Sequence, residues 1–136
     1  MEEITYRSDV IITSSQFTDI LKRSTLDVRR PVNDPKRIDQ MLAHGNILIT
    51  AWYGDLLVGV SRALSDFSFC CYLSDLAVDE SFQHKGIGKK LIDETHAVSG
   101  PDTMLILLAA PAAVTFYPKI GMKTFEHCFI INRKTI

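Results

Sequence analysis

Residues 79–90 read Asp-Glu-Ser-Phe-Gln-His-Lys-Gly-Ile-Gly-Lys-Lys and join two segments of different character. The segment before them, Phe69–Val78, is almost entirely apolar, as a central strand of a sheet would be. The segment after them places apolar residues at helical spacing over 87–95, until Gly100 and Pro101 end the pattern. The sequence therefore predicts a strand, a glycine loop and a helix in that order.

The glycine loop predicts a binding site for an anion. A glycine-rich turn that opens a helix leaves several backbone N–H groups unpaired and directed at one point, with the positive end of the helix dipole behind them. Gly86 and Gly88 lack a Cβ that would block close approach, and Lys85, Lys89 and Lys90 add positive charge. Such a loop can hold a pyrophosphate. The alternative is that the glycines only cap the helix and the lysines are solvated.

The segments on either side of this unit predict more strands. Ile47–Tyr53 and Leu56–Leu64 are rich in β-branched, aliphatic and aromatic residues, and Gly54-Asp55 between them favours a tight turn, so they form a hairpin. Met104–Ala109 is a short apolar run that predicts a buried strand. A helix connects it to the strand before the glycine loop, so those two strands are expected to be parallel.

The N-terminal third predicts a short strand and two helices. The strand covers Thr5–Arg7, and Ser14 or Ser15 can cap the first helix. Asp34 followed by proline is a stronger start signal and predicts a helix over Pro35–His44.

Near the C-terminus, Pro111–Ile120 predicts a short helix and Lys123–Asn132 predicts β structure. No repeat or linker divides the chain, so residues 1–136 are expected to form a single domain. The fold class is α+β, a mixed and mostly antiparallel β-sheet flanked by helices, with one βαβ unit that carries the glycine loop.

Composition narrows the classes of partner and location. The chain has 15 Lys and Arg against 16 Asp and Glu, so it lacks the basic excess that nucleic-acid binding requires. No apolar run reaches the roughly 20 residues that span a membrane. Cys70, Cys71 and Cys128 make a poor disulfide framework, and the acidic N-terminus is unlike a secretory signal, so a cytoplasmic location is expected. Cys70 and Cys71 are predicted to be buried hydrophobic residues, and no metal site is predicted.

Three motifs resemble one family. Gln83–Gly88 matches the Q/R-x-x-G-x-G/A signature of the GNAT (GCN5-related N-acetyltransferase) superfamily, and Leu76–Asp79 resembles the family's fourth strand. Ala113–Met122 is similar to the segment A-x-x-F-Y-x-K-x-G-F that follows the fifth strand. The resemblance covers residues 46–126 well and the first 45 residues only in outline.

The resemblance implies acetyl-coenzyme A (acetyl-CoA) as cosubstrate, held where the fourth and fifth strands separate. The backbone positions that would pair with its pantetheine arm are Leu76, Ala77 and Val78. The positions that would bind its pyrophosphate, mainly through backbone N–H groups, are Gln83, His84, Lys85, Gly86, Ile87, Gly88 and Lys89.

Two residues are candidates for catalysis, Tyr117 from the resemblance and Asp75 from its position in the strand. Tyr117 occupies the position of a tyrosine that donates a proton to the departing thiolate, although it can instead be a packed aromatic residue. Asp75 interrupts an apolar strand beside the proposed arm site, so desolvation can make it the base that deprotonates the amine. The alternative for Asp75 is a hydrogen-bonded structural carboxylate.

The function implied is transfer of an acetyl group from acetyl-CoA to a primary amine, in a small molecule or a peptide, by direct attack in a ternary complex. The alternative is an acyl-CoA binding or sensing module without efficient transfer.

The chain departs from the family pattern at two positions. Ala110 stands where many members carry an asparagine that contacts the cofactor, and Met122 replaces a phenylalanine. The short stretch after Lys123 suggests a homodimer that completes the sheet. The sequence does not select the amine: Arg29, Arg30 and Arg62 could attract an anionic acceptor and Asp66 a cationic one, or each can be solvated surface.

Overall fold

The computed structural model describes residues 3–134, and its regular elements alternate between strands and helices. The strands are β1 (Ile4–Arg7), β2 (Ile47–Tyr53), β3 (Leu56–Ser65), β4 (Cys70–Val78) and β5 (Met104–Leu107). The helices are α1 (Ser14–Arg23), α2 (Pro35–His44), α3 (Ile87–Ser99) and α4 (Phe116–Lys119). Short 3₁₀ turns cover Leu26–Arg29, Glu80–Phe82 and Pro111–Ala113.

The five strands form one mixed sheet in the order β1-β2-β3-β4-β5. Every neighbouring pair is antiparallel except β4 and β5, which are parallel because α3 carries the chain back between them. This arrangement confirms the predicted α+β class and the βαβ unit around the glycine loop.

Helices cover both faces of the sheet and create two hydrophobic cores. On one face α3 buries Ile87 and Leu91 against β2, β3 and β4. On the other face α1 and α2 bury Phe17 and Ile38 together with Val60 of β3. Both faces of the central strands are therefore buried.

The starts of α1 and α2 show how local chemistry fixes helix ends. Asp34 caps α2 as predicted, and its side chain accepts a hydrogen bond from Arg37 N. The N-cap of α1 is Thr13, not Ser14 or Ser15. Thr13 Oγ1 accepts from Gln16 N while Gln16 Oε1 accepts from Thr13 N, and only Thr13 has a glutamine three residues later to complete this reciprocal pair.

The C-terminal part differs from the sequence prediction. Pro111–Ile120 forms a 3₁₀ turn and the one-turn helix α4 instead of one helix, because Pro118 has no N–H to continue a hydrogen-bonded run. The segment Lys123–Asn132 contains no strand: it is exposed, and no described strand pairs with it. A sequence with β-propensity needs a partner edge before it becomes a strand.

The prediction that Met104–Ala109 is a buried strand was wrong on burial. β5 is an edge strand, and Met104 is 62% exposed. Cys70 was also predicted to be buried and is exposed, whereas Cys71 is fully buried in the core beneath α3. Cys70 lies at the first position of β4, beside the turn from β3, where no helix covers it.

A β-bulge in β4 determines which residues face the two cores. Arg62 pairs with Asp75 and Ala63 pairs with Leu73, so Ser74 has no partner on β3. The alternation of side chains inverts at that point: Leu73 packs beneath α3, but Ala77 packs beneath α1. Pairing of β4 with β5 also ends there, at Leu73 and Leu107, and the two strands separate beyond it.

We expect Gly59→Val to lower the free energy of unfolding by about 1–3 kcal/mol, because extra volume in a close-packed contact forces its neighbours to move. A Cβ on Gly59 would lie 3.1 Å from Leu91 Cδ1 and 3.3 Å from Ile87 Cγ2, both on α3. Urea unfolding measures the change. Ala97→Val, which adds methyl groups on the exposed side of the same helix, should cost less than about 1 kcal/mol. Equal effects of the two substitutions would contradict the close contact of α3 with β3.

Candidate active site

A cleft of about 880 Å³ opens where β4 and β5 separate. One wall is the end of β4 and the other is the chain from Leu107 through the start of α4. The connection between α1 and α2 covers the cleft from the face opposite α3. The cleft is therefore lined by residues from β4, from the segment between β5 and α4, and from the connection between α1 and α2.

The edge of β4 that faces the cleft offers unpaired backbone groups. Asp79 N donates to Val58 O at 2.8 Å, so the backbone N–H of Asp79 points toward β3. Backbone groups of successive residues in a strand point to alternate sides. The N–H and C=O groups of Leu76 and Val78 therefore point away from β3, toward the cleft. Gln83 Nε2 donates to Val78 O at 3.0 Å. Leu76 therefore presents its N–H and C=O to the cleft, while the backbone of Ala77 faces β3 and its side chain is buried.

The start of α3 presents uncapped N–H groups. Gly86 is the N-cap with φ +83°, no side chain caps the helix, and the first turn contains no acidic residue. The first helical hydrogen bond runs from Lys90 N to Gly86 O, so the N–H groups of Ile87, Gly88 and Lys89 have no partner within the helix. His84 in the loop before the helix also has positive φ. The structure thus places the predicted loop residues around one uncapped helix end.

The two positions in this loop favour glycine for different structural reasons. Gly86 is in the left-handed region, which favours glycine, and nothing lies within 4 Å of the position of a Cβ there. A Cβ on Gly88 would lie 3.2 Å from Phe116 Cζ. Gly88 therefore allows α4 to approach α3, and this contact positions Tyr117, the next residue of α4.

The lysines of the loop add less free charge than the sequence suggests. Lys89 pairs with Asp93 at 2.8 Å and Lys90 pairs with Glu94 at 3.1 Å, one turn further along α3. Lys85 lies over the ring of Phe82, 5.6 Å from its centroid. Backbone N–H groups are therefore the main donors that the loop offers to an anion.

Tyr117 lines the cleft from α4 and packs edge-on against Phe116, with ring centroids 5.1 Å apart. Burial raises the pKa of its phenol, and the positive charge of Arg30 opposes that rise. The phenol is therefore protonated at neutral pH and can act as a proton donor.

Asp75 lies beneath the cleft and binds two arginines that line it. Its side chain is fully buried, one carboxylate oxygen accepts from Arg30 Nε, and the other accepts from Arg62 Nε. Arg62 also donates to Met41 O at 3.0 Å, and Arg30 donates to Ser74 O at 2.7 Å. The two positive charges stabilise the negative charge of Asp75 and occupy both of its oxygens. The sequence-based hypothesis of a base assumed desolvation without such partners.

From the sequence, Arg30 and Arg62 were expected only as residues that could attract an anionic acceptor or lie on a solvated surface. Their contact with Asp75 was not predicted. Arg62 is the cross-strand partner of Asp75, which the predicted strands alone do not reveal because the bulge shifts the register between β3 and β4. Arg30 follows the 3₁₀ turn after α1, a segment without periodicity. A buried carboxylate on a central strand is the one available signal, because such a group requires positively charged or hydrogen-bonding partners.

Residues 3–134 hold no cluster of three or more His, Cys, Asp or Glu that could bind a metal ion. Within the same residues, no helix combines the length and the apolar character needed to cross a membrane.

Comparison with known proteins places this chain in a family. The model of the acetyltransferase (GNAT) domain matches residues 24–132. The chain is 30% identical over 100 residues to the uncharacterized N-acetyltransferase ycf52 of Gracilaria tenuistipitata var. liui. The match covers 71% of this chain and 55% of that protein. The protein of the same name from Porphyra purpurea is 29% identical over 100 residues, 69% of this chain and 56% of that protein. The chain thus spans about half the length of the curated relatives it matches.

Solved structures show the same fold at low sequence identity. A GNAT family acetyltransferase of Streptococcus pneumoniae superposes with a TM-score of 0.75 at 23% identity, covering 97% of this chain and 100% of that one. An aminoglycoside N-acetyltransferase in complex with CoA superposes with a TM-score of 0.73 at 14% identity, covering 98% and 97%. The family match over most of the chain, together with the separated strands and the glycine loop, shows that this chain belongs to the GNAT acetyltransferase family.

Proposed function

We propose that this protein transfers the acetyl group of acetyl-CoA to a primary amine by direct attack in a ternary complex. The observation that carries the proposal is the opening between β4 and β5, which has the unpaired backbone of Leu76 on one side and Tyr117 on the other. The similar fold of an aminoglycoside acetyltransferase in complex with CoA supports the choice of cosubstrate.

Acetyl-CoA fits the donors that the chain offers. The N–H groups of Ile87, Gly88 and Lys89 suit a pyrophosphate, with Gln83, His84, Lys85 and Gly86 shaping the loop before them. The backbone of Leu76 suits an amide of the pantetheine arm, with Ala77 and Val78 holding that edge in place. Ala110 has no polar group to add to these contacts.

Transfer forms a bond between the amine nitrogen and the acetyl carbonyl carbon and breaks the bond from that carbon to sulfur. Tyr117 donates its phenolic proton to the departing sulfur, or stabilises it by a charge-assisted hydrogen bond. An amine with a pKa near 10.4 must first lose a proton, which costs about 4–5 kcal/mol at pH 7.

The base role of Asp75 in that deprotonation stays a prediction, and the geometry favours a different role. Because both carboxylate oxygens bind arginines, we propose that Asp75 is a positioning residue that fixes Arg30 in the wall of the cleft. The amine proton then leaves through water in the open cleft.

Two other features belong to the proposal. The exposed apolar segment Lys123–Asn132 and the exposed edge strand β5 favour a homodimer in which each copy supplies the other with a strand partner. A cytoplasmic location is proposed on the cysteine content alone. The alternative function, an acyl-CoA sensing module, would keep the cosubstrate contacts and not need the phenol of Tyr117.

Tyr117→Phe separates transfer from sensing. We expect kcat to fall about 10- to 100-fold with little change in the affinity for acetyl-CoA, because the lost contact is made to the leaving sulfur. Thiol release with a panel of amines measures this, and isothermal titration measures binding of acetyl-CoA. Tyr6→Phe removes a hydroxyl outside the cleft and should leave kcat unchanged. Unchanged turnover in Tyr117→Phe would assign the residue to packing alone.

The helix end is tested by a matched pair at one position. Lys89→Pro removes one N–H in the first turn of α3, where proline is tolerated, and Lys89→Ala removes only the side-chain charge. We expect the proline variant to bind acetyl-CoA about 10-fold more weakly and the alanine variant to lose much less. Circular dichroism checks that α3 is intact. Equal losses in both variants would show that side-chain charge, not backbone N–H groups, holds the phosphates.

Asp75→Asn tests positioning against base catalysis. Removing the charge of Asp75 leaves the guanidinium groups of Arg30 and Arg62 without their carboxylate partner, so we expect the free energy of unfolding to fall by about 3–5 kcal/mol. Urea unfolding measures this loss. Asp19→Asn, at an exposed pair with Arg23, should change stability by no more than about 0.5 kcal/mol. A variant as stable as the wild type that has lost activity and the acidic limb of its pH profile would instead identify Asp75 as the base.

A further inference from the structure

The cleft is lined by arginines without matching carboxylates. Five of the seven arginines of the chain line it, and none of the described residues in its walls is Asp or Glu. These residues are Arg29, Arg30, Arg37, Arg62 and Arg133. Asp75 beneath the cleft compensates one of the five charges, so a surplus of four faces the opening in a chain whose net charge is -1.

The surplus includes donors that are free to bind a ligand. Neither Arg29 nor Arg37 has a side-chain hydrogen bond or ion pair with any residue in the described part of the chain. Arg30 is held rigidly by Asp75 and by the carbonyl oxygens of Ser74 and Arg29, which engage three of its five N–H groups. Its side chain is still 20% exposed, so part of a fixed guanidinium faces the cleft.

These arginines are separate from the helix end proposed for the pyrophosphate. Arg29 and Arg30 belong to the connection between α1 and α2, and Arg37 belongs to α2, on the face of the sheet opposite α3. Guanidinium groups bind carboxylates and phosphates through paired hydrogen bonds, which lysine cannot do, and none of the eight lysines lines the cleft. These three arginines, the positive wall of the cleft, therefore lie away from the proposed pyrophosphate site and are available to an acceptor.

We propose that the acceptor is a primary amine that also carries an anionic group, a carboxylate or a phosphate, which binds Arg29, Arg30 and Arg37. This inference rests on the proposed acetyl transfer, and it separates the protein from enzymes whose acceptors carry several positive charges. A polycationic amine such as an aminoglycoside would meet a surplus of like charge and no described carboxylate in the walls. An anionic amine would bind the wall with one end and present its amino group toward Tyr117 with the other.

The experiment compares matched amines at saturating acetyl-CoA. The pairs are 4-aminobutyrate with 1,4-diaminobutane and 2-aminoethyl phosphate with ethanolamine, and tobramycin is added as a polycation. We expect kcat/KM to be about 10-fold or more higher for the anionic member of each pair. Arg37→Gln and Arg29→Gln should each lower kcat/KM for the anionic amines about 10-fold and for ethanolamine less than about twofold. The control Lys36→Gln removes an equal charge from α2 outside the cleft and should change neither value.

The pair with 4-aminobutyrate tests a carboxylate and the pair with 2-aminoethyl phosphate tests a phosphate, so the experiment distinguishes the two forms of the anion. A preference for the diamine or tobramycin, or arginine variants that affect all amines alike, would overturn the inference while leaving acetyl transfer intact. A raised KM for acetyl-CoA in Arg37→Gln with every amine would also overturn it, because the wall would then bind the cosubstrate's own phosphates.

A binding measurement separates this inference from the proposed activity. Glutarate and inorganic phosphate are titrated into the wild type and Arg37→Gln, with arginine side-chain NMR signals as the readout. Saturable binding that is lost in the variant supports the anion site even if no amine in the panel is acetylated. Absence of saturable binding for both anions would contradict it even if some amine is acetylated.

Discussion

The contact of Asp75 with Arg30 and Arg62 holds together three segments that meet at the cleft. Arg62 comes from β3, Asp75 from β4, and Arg30 from the connection between α1 and α2. In that connection Leu26 and Val32 pack against the core but are only partly buried, and Val28 is 77% exposed. Polar contacts therefore add to the apolar contacts that hold it. Because a buried charge without a partner is very costly, the ion pairs oblige Arg30 to stay against β4.

The bulge at Ser74 makes this contact possible. Without it, the alternation along β4 would continue from Leu73, and Asp75 would face the hydrophobic core beneath α3, where only apolar residues surround it. The inserted residue turns Asp75 to the opposite face and turns Leu76 so that its backbone faces the cleft. It also coincides with the end of pairing between β4 and β5. A single extra residue thus links the buried ion pairs to the free strand edge that the cosubstrate is proposed to use.

Local signals were sufficient for much of the fold. Asp34-Pro35 fixed the start of α2 because the cap and the proline act within one turn, and Gly54-Asp55 defined the hairpin because the turn requires positive φ. The features that could not be predicted depend on distant residues. Lys123–Asn132 has the composition of a strand, but strand formation depends on a partner edge that composition does not encode. The motif that resembles the family located the glycine loop, yet the contact of Gly88 with Phe116 depends on how α4 packs.

Whether the arginines form a charged cleft or a solvated surface could not be decided from the sequence, for a related reason. A net charge of -1 describes the whole chain, but it says nothing about how charges are separated in space. The lysines of α3 pair with acidic residues one turn away on the same helix, which a sequence pattern can reveal. The arginines at the cleft come from four separate parts of the chain, and only the fold brings them together. Local pairing neutralises the helix that carries the phosphate loop, whereas tertiary structure concentrates unpaired charge at the proposed acceptor entrance. In the two proposals together, backbone N–H groups bind the cosubstrate, while arginine side chains select the acceptor.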